Sequence, residues 1–225
     1  MEGLNLVNQP VLVMLFLGVL SLLPFLVMMT TSFVKMVAVL SILRTAVGTP
    51  QIPPNSIVTG LALVLSIFVM SPVLVQIQGN FEERQVDCVK AAGTVEAFNE
   101  LFPDIIESVK PPVMAFMTQH AHEDNLLMLG EFMENQNGTI NDPADNPIVL
   151  ITAFVLSELK EAFQIGFLLF LPFVLIDLVV ANILQAMGMV MLSPTTISLP
   201  FKLLLFVLAD GWLMLTQGLL AGYMG

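Results

Sequence analysis

The chain has 225 residues, of which 56% are hydrophobic and 11% charged, and its mean hydropathy is +0.90. Ordinary soluble domains carry about a quarter charged residues, so this balance excludes one and indicates a membrane protein or a subunit of a membrane complex. With 18 acidic residues against 7 basic ones the surface repels nucleic acid, and the single Cys88 permits no intrachain disulfide.

Only Glu2 is charged before the apolar run Val11 to Met29. With no basic stretch and no small-residue cleavage site, this run reads as retained rather than as a secretory signal. Pro24 lies inside it and predicts a kink, because proline removes a backbone donor and clashes with the preceding turn. A helical stretch from Ser32 to Val47 follows, carrying Lys35 and Arg44, and the Gly48 to Pro54 segment ends it. Asn55 is placed to cap the next apolar run, Ile57 to Ile77, which holds Pro72. Lys35 and Arg44 bias the loop between the first two runs toward the cytoplasm, which puts both termini and the acidic middle outside.

That middle, residues 79–147, holds thirteen of the 18 acidic residues. It reads as an insert of short amphipathic helices, Val95 to Phe102 and Pro112 to Glu134, with a loop from Asn135 to Pro147. His120 and His122 stand beside Glu123 and Asp124, but residues two apart point away from each other on a helix, so a solvated surface is expected and no metal site. Asn137-Gly-Thr139 matches a glycosylation sequon, which such loops carry by chance.

The C-terminal part holds two further apolar segments, Ile165 to Ala181 with Pro172 inside and Leu199 to Leu220, each about the length of a membrane helix. Between them, Met187 to Leu192 carries no charge and no polar turn cluster before Ser193-Pro194. An exposed connection is normally hydrophilic, so this one must rest against something apolar. Counted out from an antiparallel hairpin at about 1.5 Å per residue, Asp177 and Asp210 fall at similar depth. Intramembrane acids face a protein interior or a wet cavity. The expected architecture is an all-α membrane-complex protein: two proline-kinked apolar helical hairpins, 1–78 and 148–225, joined by a mainly helical acidic insert, 79–147, on the periplasmic side.

Several segments together resemble the FliP/SctR family of type III secretion export-apparatus proteins: TSFVKMVAVLSILRTAVGTPQIPPN (31–55), GLALVLSIFVMSPV (60–73), SELKEAFQIGF (157–167), LPFVLIDLVVANIL (171–184), AMGMVMLSP (186–194) and ISLPFKLLLFVLADGW (197–212). The resemblance implies a non-enzymatic subunit of a five-fold ring in the bacterial inner membrane, lifted toward the periplasm. Its implied partners are SctS/FliQ-like and SctT/FliR-like subunits, an SctU/FlhB-like switch protein, membrane lipid, and the unfolded proteins that pass through the pore. It further implies that the family's methionine gasket falls on Met189, Val190 and Met191, next to Met187, with Val190 replacing the middle methionine. The injectisome branch is favoured over the flagellar one.

Methionines of this kind are ordinarily core filler. Their clustering in a loop without polar residues, with the resemblance, favours the gasket. Asp177 and Asp210 fit structural pairing, with Lys202, Lys35, Arg44, Glu158 and Lys160 as further buried or assembly residues. They also fit a proton relay, which would make the chain a small ion- or proton-coupled transporter. Lys160 with Glu158 and Glu161 reads as a solvated helix end or a subunit contact. No Ser, Asp and His constellation suggests catalysis, and no cofactor is implied.

Overall fold

A computed structural model describes residues 10–49, 53–84, 95–137, 142–189 and 191–224. Val190, Cys88 and part of the sequon at Asn137 lie outside the described residues. Those described form eight α-helices and one short 3-10 turn, with no strand: α1 (Pro10–Thr30), α2 (Phe33–Val47), α3 (Asn55–Glu83), α4 (Val95–His120), α5 (Glu123–Asn137), the turn Pro143–Asp145, α6 (Pro147–Ala186), α7 (Pro194–Leu208) and α8 (Gly211–Ala221). By length and composition α3 and α6 can each cross a membrane. Two bent pairs, Ser21–Thr30 with α2 and α7 with α8, raise the candidate spans to four if each pair is one span.

A sharp bend lies at a point without proline. The chain turns by 62° between α7 and α8. Pro24, Pro72 and Pro172 sit inside helices that continue through them. The acidic middle is helical, but its boundaries differ from expectation: α4 runs from Val95 to His120 through Pro103, Pro111 and Pro112, and the break comes at Ala121 and His122.

The chain divides into two compact units interleaved in sequence. One comprises Met1–Thr31 and Met70–Val155. Within it, Asn80 donates to the Ser108 carbonyl at 2.9 Å, Phe116 meets Phe154 edge-on, and Pro143 packs so close to Gly130 that a Cβ there would lie 2.6 Å from its ring.

The other unit, Ser32–Val69 and Leu156–Gly225, carries the candidate site. Its core is organised on α2, where Met36, Val39, Leu40, Leu43, Ala46 and Val47 are buried at helical spacing. Val58, Ala62 and Leu65 of α3, Ala162 and Phe173 of α6, and Leu215 and Leu219 of α8 close around that stripe. At Gly166 a Cβ would meet Ile42 side-chain atoms at 2.5 Å, so glycine lets α6 approach α2. Gly48 ends α2 in the left-handed conformation at φ +87°, its N–H donating to the carbonyls of Arg44 and Thr45.

Candidate functional site

Lys35 sits on the buried stripe of α2, one residue before Met36, and the helix therefore points a cation into the core. Two carboxylates on α6 answer it. Its Nζ lies 3.1 Å from Glu158 Oε1 and 2.7 Å from Glu161 Oε2, and these acids share a helix face because they are three residues apart. Lys35 and Glu158 are each 1% exposed, and Glu161 is 29% exposed. Tyr223, just past α8, donates its hydroxyl to Glu158 Oε2 and lays its ring under Lys35 Nζ, 3.9 Å from the centroid. Burial, and then the neighbouring Glu158 carboxylate, push the Tyr223 hydroxyl above its ordinary value, so it remains the proton donor. Ser32 donates to Ser66 at 3.0 Å. Residues 158–161 are thus corrected from a solvated helix end to the middle of α6, with only Lys160 exposed.

A second polar cluster joins α6, α7 and α2. Lys202 is buried and donates to Asp177 Oδ2 at 2.7 Å and to the Ala46 carbonyl at 3.1 Å, one of the acceptors left open in the last turn of α2. Ser198, one helical turn before Lys202, donates to Asp177 Oδ1. Arg44 is half-buried; it donates to the Pro53 carbonyl and to Asn55 Oδ1, which ties the start of α3 to α2.

Asp177 and Asp210 are not brought together. Because α7 starts at Pro194, the residues opposite Asp177 are Ser198 and Lys202, and Asp210 follows Lys202 by eight positions, about 12 Å along a helix. Asp210 is exposed at the α7–α8 bend, with no side-chain capping bond. The expectation of one shared acidic layer is corrected by this register.

The joint between α6 and α7 is an apolar tip. Gly188 adopts φ +74°, and the Met189 amide closes on the Leu184 carbonyl at 2.9 Å. Met187 and Met189 are exposed, and Met191 is 99% exposed. Behind the tip lies a groove of about 630 Å³ with a wholly apolar lining that includes Leu175, Val179, Ile183, Met189, Ile197 and Phe201. Elsewhere His120 Nδ1 is 2.8 Å from the Phe116 carbonyl, and among the described residues no three His, Cys, Asp or Glu gather as a metal site.

Tyr223 and Ser198 were not singled out by sequence reasoning. The available signal was Lys35 itself, since a lysine on a buried helix stripe requires a partner of opposite charge.

The FliP family model matches residues 16–219, which include both buried lysines, their carboxylate partners and the methionine tip. The chain belongs to the FliP family. It is 43% identical over 212 residues to Yop proteins translocation protein R of Yersinia pestis, covering 93% of this chain and 94% of that protein. Harpin secretion protein HrcR of Erwinia amylovora is 41% identical over 221 residues, 96% and 97% of the two chains. Flagellar biosynthetic protein FliP of Caulobacter vibrioides is 42% identical over 227 residues, 98% of this chain and 79% of that one. The similarity to these FliP-family relatives therefore extends across both apolar parts and the acidic middle between them.

Proposed function

We propose that this chain is a core subunit of the export gate of a bacterial type III secretion system, held in the inner membrane and helping to form the pore through which unfolded proteins leave. The observation that carries this reading is membership of the FliP family over residues 16–219, with relatives named for translocation, secretion and flagellar biosynthesis. The partners are further copies of the chain in a ring, SctS/FliQ-like and SctT/FliR-like subunits and an SctU/FlhB-like switch protein. The assembly is lifted toward the periplasm, which the acidic segment 79–147 faces.

Physical support comes from what the single chain leaves open. Large apolar side chains such as Phe163, Phe167, Leu204, Val207 and Leu208 are exposed, and only lipid or neighbouring subunits can cover them. Repeated around an axis, the tip at Met187, Met189, Val190 and Met191 forms a constriction that excludes ions by dewetting, while flexible thioethers part around a passing polypeptide. Buried pairing at Asp177, Lys202, Lys35 and Glu158 holds the helices that carry the tip.

The test is replacement of the chromosomal copy. Loss of the chain should abolish export of unfolded cargo. Met189, Val190 and Met191 replaced together by Ala should give an assembled complex whose membranes leak small solutes. Normal tightness in an assembled complex carrying that triple variant would remove the gasket role.

A further inference from the structure

The bend between α7 and α8 is made at a backbone cost. Asp210 has φ 48° and ψ 46°, the left-handed region, and among the described residues it is the one non-glycine residue with positive φ. Its side chain makes no capping bond that would offset this. Gly211 is required next to it, because a Cβ there would lie 2.2 Å from the Phe206 ring, and Phe206 already meets Trp212 edge-on with centroids 5.3 Å apart. No proline lies between Phe201 and Gly225 to force the chain to turn. A straighter path through Ala209 to Trp212 would release the left-handed residue, so the bend must be held from elsewhere.

The other end of α8 supplies that hold. Leu215 and Leu219 are buried in the core, and Tyr223 follows Leu219 by four residues, continuing the same face past the helix end. There it reaches the buried pair on α2 and α6: its hydroxyl donates to Glu158 and its ring stacks against Lys35 Nζ. We propose that Tyr223 is a positioning residue that latches α8 against α2 and α6, and that this latch maintains the strained bend at Asp210. The inference concerns geometry within one chain and does not depend on the export role.

Hydrogen exchange of the full chain, extracted in mild detergent with its native complex, tests it. Tyr223→Ala should speed exchange of the α8 amides, 211–221, by about tenfold or more, the loss expected for a hydrogen bond to a charged acceptor together with its ring contact. Exchange in α4, residues 95–120, should not change. Tyr223→Phe, which keeps the ring over Lys35, should show a smaller effect and covers the case in which the alanine variant does not fold. Adding Asp210→Gly should restore protection, because glycine adopts the left-handed turn freely and weakens the straight helical alternative. Unchanged α8 exchange in both tyrosine variants would overturn the proposal, as would equal acceleration in α4 or failure of Asp210→Gly to restore protection.

Discussion

Lys35 is the most demanding residue in the core, and its removal has a calculable consequence. Lys35→Met keeps the length and apolar stem of the side chain but deletes the cation that pairs with Glu158 and Glu161. Breaking a buried ion pair from one side costs about 3–5 kcal/mol, because the remaining charge stays desolvated. Glu161 is 29% exposed and recovers water, and Glu158 keeps the Tyr223 hydroxyl, so the lower end, about 3 kcal/mol, applies. For a chain of this size that corresponds to a fall of about 10 °C in unfolding temperature.

The companion variant makes the reasoning refutable. Lys35→Met with Glu158→Gln removes both buried charges, and replacing a whole buried pair is often close to neutral, so the double variant should recover most of the loss. Trp212 is the chain's single tryptophan and serves as the emission probe for unfolding in detergent. If Lys35→Met unfolds at the parent temperature, or the double variant is no more stable than the single one, the pair does not act as a buried, coupled unit.

Asp177→Ala should destabilise by about 3 kcal/mol, because it leaves Lys202 buried with only the Ala46 carbonyl, and Asp177→Asn should cost roughly half as much because it still accepts from Ser198. Yield of intact complex after detergent extraction orders the variants, and equal yields for Ala and Asn would contradict the assignment. Gly166→Ala should cost about 1–3 kcal/mol through overpacking against Ile42, and adding Ile42→Val should relieve part of it. Thermal unfolding measures both, and an additive rather than compensating double variant would show that the two sites do not touch.

What the sequence disclosed follows from which interactions are local. The α2 helix was legible as an apolar-rich stretch ended by Gly48 and the prolines after it, and the apolar loop at Met187 to Leu192 because an uncharged turn contradicts ordinary loop composition. The bends were not legible. Proline marks a lost donor, yet α3, α4 and α6 continue through theirs, while the chain turns sharply at Asp210, where no proline stands. The partner of Asp177 was missed through register: Pro194 at the first turn of α7 is a usual helix start, and counting from it rather than from Leu199 places Ser198 and Lys202 opposite the acid. Tyr223 was missed for a different reason. Its role depends on α8 folding back onto α2 and α6, a contact between residues 65 positions apart that no local pattern encodes. Buried lysines are the exception to that limit, since Lys35 and Lys202 on apolar helices each require an acid at the same depth, and Glu158, Glu161 and Asp177 all lie on α6. One 40-residue helix thus supplies the counter-charges for both lysines and ends in the methionine tip, so the register of α6 sets the position of the tip relative to α2 and α7. A helix pinned by two buried ion pairs cannot slide by a residue without breaking both, which ties the placement of an apolar loop to the electrostatics of the core behind it.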